Sequence, residues 1–326
     1  MLKKKIVILG AGLAGLSAAW HLRKKGIKSV IYEKEPESGG LCRSKIVKGF
    51  TFDYDGHLLH FRDQYVLDLI RNELGLKLKR HERSSWIYSF GRYIPYPFQA
   101  NLCFLPPKIA SRCIKDFIKV SNNNTSCNKY KNFHTWVKNS FGEGISTHFM
   151  FPYNRKFWGY PLNKMNCEWV DSFIPKPRLS DLALSYLSKE GKGLGYNSIF
   201  WYPAKGGINQ LPQALERKHC KVYKKCQVDK IDLDKKQITF NGKEQDSFDV
   251  LISTIPLPEL ARIASPLPFE VSRQFGLLRW NSIFNLNLGL SRVFHKNMHW
   301  VYFPEKSDIF FRMGFPHNFG NKIVPS

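Results

Sequence analysis

Residues 5–19 read Lys-Ile-Val-Ile-Leu-Gly-Ala-Gly-Leu-Ala-Gly-Leu-Ser-Ala-Ala, an apolar strand that runs through Gly10, Gly12 and Gly15 into a helix. A second apolar strand, Val30-Ile31-Tyr32, follows and ends in Glu33. Strand, three glycines, helix and a downstream acid together make a dinucleotide-binding fingerprint, which the glycines alone would not. Gly10 allows the tight turn, Gly12 lets a pyrophosphate approach the backbone, and Gly15 lets the helix pack closely on the strand. The helix N-terminus offers N–H groups and the positive end of its dipole to phosphate. Glu33 is placed to bond ribose hydroxyls. The basic start followed by apolar residues superficially fits a secretory leader. A cleaved leader has no use for three glycines at this spacing and a matched acid, so the segment is read as part of the fold.

The residues after Glu33 bear on which dinucleotide binds. Gly39-Gly40-Leu-Cys-Arg43 resembles the second fingerprint of the flavin amine oxidase superfamily, in which the Arg meets the FAD pyrophosphate. A planar guanidinium fork suits a diphosphate. The other reading of this stretch is a solvated turn with an incidental Arg.

A chain of 326 residues, 43% hydrophobic and 23% charged, is long enough for two or three lobes around substantial cores. No apolar run reaches the ~18 residues of a membrane span. The seven cysteines are dispersed, without a Cys-x-x-Cys pair or a His/Cys set at metal spacing. That pattern points to reduced thiols, a cytoplasmic setting and no metal. The net charge of +24 suits an acidic substrate or an anionic membrane surface. The basic residues are spread over the whole length and form no known nucleic-acid module, so nucleic acid is not an expected partner. A general lysine bias explains the charge equally well.

Alternating strands and helices up to about residue 90 predict an α/β fold. The resemblance to the flavin amine oxidase superfamily implies that residues 1–90 and 201–275 form a Rossmann-like, doubly wound FAD-binding domain, that 91–200 form a mainly helical substrate region, and that 276–326 form strands of an antiparallel substrate sheet. Helices are expected at 64–78, 108–120 and 133–141. Strands are expected at 196–202, as a pair within 222–240 with a turn at Asp234, as a buried strand from Asp249 to Pro256, and near Trp300 and Ile309. Phe284-Asn-Leu-Asn-Leu-Gly-Leu alternates apolar and polar residues, the pattern of a half-buried antiparallel strand.

Several further stretches, in order along the chain, resemble the UDP-galactopyranose mutase branch of the superfamily. They are Asp55-Gly56-His57, Tyr96-Pro97-Phe98-Gln99, Phe151-Pro-Tyr153-Asn154 up to Trp158, Met165-Asn-Cys-Glu-Trp169, Tyr202-Pro-Ala-Lys-Gly206-Gly207, Ile252-Ser-Thr254-Ile-Pro256 and Trp300-Val-Tyr-Phe-Pro304. The resemblance implies FAD as cofactor and a small-molecule substrate, a nucleotide sugar. It implies that Gly56 and His57 lie beside the flavin ring, with His57 following its redox state, and that Val228 and Thr254 contribute to the cofactor site. Tyr96, Phe98, Gln99, Asn154 and Trp158 would meet substrate. Each has a plainer reading: a turn histidine at His57, core packing at the others. The implied chemistry is a ring contraction of galactose in which the reduced flavin attacks the anomeric carbon through N5 and no net redox occurs.

The sequence departs from that family at four places. Phe173 and Ser291 stand where the mutases carry diphosphate-gripping arginines, with Arg178 and Arg292 displaced from those positions. Asp55 stands where the mutases usually have Gly. A Gly-rich flavin segment follows the substrate sheet in the family, and the sequence reaches Ser326 before one. The expectation is therefore a fragment or truncated form with an incomplete flavin site and an exposed edge. Three readings follow: a mutase-like flavoenzyme, an FAD-dependent oxidoreductase of the amine or protoporphyrinogen oxidase kind, and an inactive remnant.

Overall fold

Ile6–Leu9 forms strand β1, and its side chains serve two cores. Ile8 packs into one core with Leu16, Ala19 and Trp20, while Val7 and Leu9 enter another with Ile231, Ile238 and Phe240. A strand covered on both faces has no polar side, which is why β1 is apolar throughout. It is flanked by β2 (Ser29–Tyr32) and β13 (Val250–Ser253), and β9 (Lys221–Tyr223) extends the sheet beyond β2. All of these pairings are parallel. Helix α1 (Leu13–Lys24) buries Leu16, Ala19 and Trp20 on one stripe and carries His21, Arg23 and Lys24 at its C-terminal end, where the helix dipole favours cations.

The computed structural model describes residues 4–123, 126–170, 173–182, 198–218, 221–292, 296–320 and 322–325. The chain divides into two units. The first comprises Met1–Lys79, Trp201–Gly289 and Gly320–Ser326, and the second Arg80–Phe200 and Leu290–Phe319. In the first unit, helix α1 and the helix Gln210–Arg217 cover one face of the parallel sheet. The other face is covered by a second sheet of β12 (Glu244–Ser247), β11 (Gln237–Phe240), β10 (Val228–Asp232) and β14 (Ala264–Ser265). The α/β Rossmann-like FAD-binding fold is thus present, with helices on one face of the parallel sheet and a second sheet on the other. The hairpin β3 (Ser44–Val47) and β4 (Phe50–Asp53) completes the elements near the glycine loop.

The second unit is built on α3 (Pro107–Val120), α4 (Phe133–Ile145) and α5 (Phe151–Trp158). The stripe Ala110, Cys113 and Phe117 of α3 is buried against Phe133, Val137 and Phe141 of α4 in one apolar core. The two helices touch backbone to backbone: a Cβ on Gly142 would stand 2.4 Å from the Asp116 carbonyl oxygen, and one on Gly144 2.7 Å from Cys113 Cα. Gly142 has φ +74 and ψ 172, a glycine-only conformation that kinks α4. The sheet of this unit runs β16 (Arg312–Gly314), β15 (Trp300–Tyr302), β6 (Ser85–Ser89) and β7 (Arg92–Pro95). The ladder of β5 (Leu78–Glu82) and β8 (Ile199–Pro203) accounts for the remaining strands among the described residues.

Several expectations change. The unit boundaries fall after residues 79, 200, 289 and 319, against 90, 200 and 275. The sheet of the second unit, expected to be antiparallel, is mixed, because β15 runs parallel to β6 while its other pairing is antiparallel. Residues 196 and 197 of the expected strand lie outside the described residues. The 64–78 stretch gives α2 (Gln64–Asp68) followed by one π-helical turn, Leu69–Glu73. Val222 belongs to β9, not to the hairpin of β10 and β11. β13 is an edge strand with Val250 exposed, not a buried one. Residues 284–290 form no strand pairing among the described residues. Phe284 is 91% exposed, and Leu286, Leu288 and Leu290 are 63–69% exposed. Their alternation fits a strand in type, but no partner covers the apolar side. Asn287 Nδ2 donates to the Asp53 carbonyl at 3.1 Å, and the Phe50 ring packs against Gly289, so the polar face is the one turned toward the protein. No helix among the described residues is long and apolar enough to cross a membrane.

Two outcomes follow from this packing. Gly142→Ala forces a methyl into the Asp116 carbonyl at a φ that L-residues avoid, and should lower stability by about 2–4 kcal/mol in denaturant titrations. The second concerns Asp246, which joins β12 to the first sheet through an ion pair with Lys5 and a 2.6 Å bond from the Tyr32 hydroxyl. Burial pushes the Asp246 carboxyl up, but the Lys5 and Tyr32 contacts outweigh it and leave it below the usual carboxylate range. A depressed carboxylate stabilises the fold above the ordinary value of 3.8, and this contribution disappears as acid carries the pH through the lowered one. Asp246→Asn should therefore flatten the loss of thermal stability between neutral pH and about pH 3.

Candidate dinucleotide site

The glycine loop joins β1 to α1 and is shaped by backbone contacts. Gly10 has φ +92, and its N–H donates to the Tyr32 carbonyl at 2.8 Å. A Cβ on Gly15 would stand 2.0 Å from the Gly10 carbonyl oxygen, so the helix can lie on the loop only with glycine there. Gly12 is the N-cap of α1, and no side chain caps it. The first-turn N–H groups therefore remain available to a ligand. The position of a Gly12 Cβ has nothing within 4 Å, so an open cradle borders the helix end.

The second fingerprint lies directly against the first. Gly39 N donates to the Ala11 carbonyl at 2.8 Å, and Gly12 and Gly39 form an isolated parallel bridge. Gly40, at φ +55, would place a Cβ 3.3 Å from Gly12 Cα. Beside them, Ser38 Oγ is buried with no hydrogen-bond partner among the described residues. An open cradle, uncapped helix N–H groups and an unmatched buried hydroxyl fit a dinucleotide pyrophosphate.

Glu33 is buried, and both its oxygens accept backbone N–H groups: Oε2 from Ala11 at 2.7 Å and Oε1 from Glu35 at 3.0 Å. Each carboxylate oxygen has a second acceptor site, which leaves room for a ribose hydroxyl. Glu33 thus shapes the loop as well as keeping acceptor sites for a ligand. Arg43 Nε donates to the Gly40 carbonyl at 2.9 Å, and Nη1 pairs with Glu35 Oε2 at 3.0 Å. Its guanidinium also lies 4.8 Å from the Tyr54 ring centroid. Thr254 lies under the loop, where Oγ1 is 2.8 Å from the Leu9 carbonyl and 3.2 Å from that of Gly10. Its hydroxyl supports the loop from below. Val228 pairs with Phe240 in β10, two residues beyond Cys226, whose N–H donates to the Glu33 carbonyl at 2.9 Å.

Gly56 and His57 follow β4. The positive φ of this turn belongs to Asp55, at +78, and not to Gly56. Asp tolerates such a conformation better than most residues. Asp55 caps its own turn, Oδ1 accepting from Gly56 N at 2.8 Å and its carbonyl from His57 N at 3.0 Å.

The expected substrate residues lie in the second unit. Phe98 is fully buried and stacked on Phe149, a core position, which is the plainer reading its sequence context allowed. Asn154 turns its amide back along α5, Nδ2 donating to the Met150 carbonyl at 2.7 Å. Gln99 is 2% exposed; Nε2 donates to the Pro175 carbonyl, while Oε1 is buried with no partner among the described residues. Trp158 Nε1 is likewise buried and unmatched there. Tyr96 sits between the Arg83 guanidinium, 4.8 Å from its ring, and Tyr302, 5.1 Å away. Tyr302 also meets Tyr153, whose phenol burial raises and nearby Arg312 lowers, with burial prevailing. Arg83 and Arg312 were not anticipated as site residues, since neither stands in a motif; Tyr302 lies in the Trp300–Pro304 stretch but was given no role there. Phe173 is half exposed, and the neighbouring Arg178 is engaged by Asp181 at 3.3 Å.

Comparison with known proteins agrees with this geometry. The family model described as flavin containing amine oxidoreductase matches residues 13–318. A crystal structure of reduced UDP-galactopyranose mutase superposes with a TM-score of 0.86 at 30% identity, covering 99% of this chain and 72% of that one. UDP-galactopyranose mutase of Mycoplasma pneumoniae is 24% identical over 170 residues, 50% of this chain and 43% of the relative. Protein anon-37Cs of Drosophila lebanonensis is 34% identical over 103 residues, 28% of this chain and 18% of the relative. These matches thus span less than half of either curated relative.

Because Glu33 orders Ala11 in the glycine loop and keeps acceptor sites free, Glu33→Ala should weaken FAD binding at least about tenfold, the worth of one charge-assisted hydrogen bond, in a flavin fluorescence titration. Fingerprints, layered fold and family model lead to one assignment: the chain belongs to the flavin containing amine oxidoreductase family, and FAD is its cofactor.

Proposed function

We propose that the chain uses reduced FAD to act on a nucleotide sugar, or a related precursor of cell-surface polysaccharide, in the manner of a UDP-galactopyranose mutase. The observation that carries this reading is the likeness to the reduced mutase, 30% identity across 99% of the chain at a TM-score of 0.86. When bound and reduced, the flavin supplies a nucleophilic nitrogen for the anomeric carbon of the sugar.

The protein's part is binding, orientation and charge. In the first unit, the end of α1 and Arg43 hold the pyrophosphate of the cofactor, Glu33 holds its ribose, and the Asp55 turn presents His57 to follow the redox state of the flavin. In the second unit, Tyr96, Tyr153 and Tyr302 form a rigid aromatic cluster with Arg83 and Arg312 at its edge. Gln99 Oε1 and Trp158 Nε1 are a buried acceptor and a buried donor without partners among the described residues. Buried polar atoms of this kind call for a hydrogen-bonding ligand, and the base and hydroxyls of a nucleotide sugar supply both roles.

A second reading, an FAD-dependent oxidoreductase, is favoured by Phe173 and Ser291, which offer no cation where the mutases grip a diphosphate. One set of assays separates the two. Dithionite-reduced protein incubated with UDP-galactopyranose and related nucleotide sugars is expected to interconvert pyranose and furanose rings. Substrate-dependent bleaching followed by oxygen uptake, without ring interconversion, would instead establish the oxidoreductase reading. A flavin that does neither would defeat both.

A further inference from the structure

Asp53 ends β4 and touches none of the groups assigned above to the dinucleotide, yet three segments of the first unit meet at it. Oδ1 accepts from Ser44 Oγ at 2.6 Å and from Ile208 N at 3.2 Å, and Oδ2 accepts from the Tyr202 hydroxyl at 2.6 Å. Ser44 directly follows Arg43, and its Oγ in turn accepts from Asn209 N at 3.2 Å. Gly207 is the residue that permits this approach, since a Cβ there would lie 2.3 Å from Ser44 Oγ and 2.6 Å from Asp53 Oδ1. The Asp53 carbonyl accepts from Asp55 N at 3.0 Å, the first bond of the turn that carries His57. Burial pushes the Asp53 carboxyl up, while the bonds from Ser44, Tyr202 and Ile208 and the nearby His57 ring pull it down, with burial prevailing. Burial and Asp53 itself push the Tyr202 phenol up, so that it stays a donor.

We propose that Asp53 is a positioning residue for FAD: its half-buried carboxylate joins the Arg43–Ser44 segment, Tyr202 and the turn at Gly207–Asn209 into one rigid piece before the cofactor arrives, while its main-chain carbonyl holds the start of the His57 turn. This rests on FAD binding by the first unit and not on the identity of the substrate. Pre-organisation of this kind strengthens binding by removing the cost of ordering the site. The carboxylate suits the task because all three of its partners are donors. An amide in its place turns a donor toward the Tyr202 hydroxyl and loses the charge-assisted bonds.

The test uses the whole chain with two substitutions. Asp53→Asn keeps the shape and removes the charge; Tyr202→Phe keeps the charge and removes one donor. Three quantities are read: the FAD dissociation constant by flavin fluorescence, the fine structure of the bound-flavin visible band, and the unfolding midpoint without FAD. Asp53→Asn is expected to weaken FAD binding at least tenfold and Tyr202→Phe about threefold, both blurring the fine structure, with FAD-free midpoints within a few degrees of the parent. Unchanged affinity and spectrum in Asp53→Asn would overturn the proposal. So would a matching drop in the FAD-free midpoint, which marks a purely structural residue. If Asp53→Asn does not fold, Tyr202→Phe decides on the same readouts. Intact FAD binding by the parent chain without turnover of any nucleotide sugar would remove the substrate reading and leave this inference standing.

Discussion

The place where a side chain on Gly15 would begin is already occupied by the Gly10 carbonyl oxygen, 2.0 Å away. That contact sets the height of α1 above β1, and the rest of the cofactor unit is fitted around it. Gly39 and Gly40 close over the same loop, and Thr254 fills the space beneath. Pro212 of the helix Gln210–Arg217 comes within 3.1 Å of where a Gly39 Cβ would be. Backbone meets backbone where Gly15 lies on Gly10 and Gly40 on Gly12, and a dinucleotide phosphate can reach main-chain N–H groups only where no side chain intervenes.

How far the sequence revealed this depends on the distance over which each feature is encoded. The glycine loop, Glu33 and Gly39–Gly40 are local, and spacing alone predicts that they come together. Helix α3 is local too, since its stripe of Ala110, Cys113 and Phe117 needs only a period of 3.6. Alternation at 284–290 reports a strand-like pattern without reporting a partner, so its burial could not be read from it. The edge position of β13 and the separation of β9 from the hairpin depend on pairings between residues far apart in sequence. Phe98 shows a further limit: an aromatic in a Pro-rich turn carries the same local signal whether it lines a pocket or fills a core.

The network at Asp53 was out of reach for the same reason. Ser44, Asp53, Tyr202 and Ile208 come from separate stretches of chain, and although Tyr202 opens a recognisable motif, nothing in it points to Asp53. Only the fold shows that a carboxylate at the end of β4 lies among three donors. Nor could the sequence distinguish Asp55 from Gly56 as the residue with positive φ, although it did show that Asp55 departs from the glycine usual in the mutases. Chemistry carried by backbone conformation is the part of a site that residue identities express least directly.

The parallel sheet also has a history in time. β1 pairs with β2 on one edge and with β13 on the other, and roughly 240 residues separate β1 from β13. At about 5–20 residues per second, β13 leaves the ribosome roughly 10–50 s after β1. For that interval the open edge of β1 has no native neighbour, while the helices of the second unit, whose contacts are mostly local, have already been made. The cofactor cradle is thus synthesised well before it is enclosed, and FAD has a completed floor to bind only once β13 has followed.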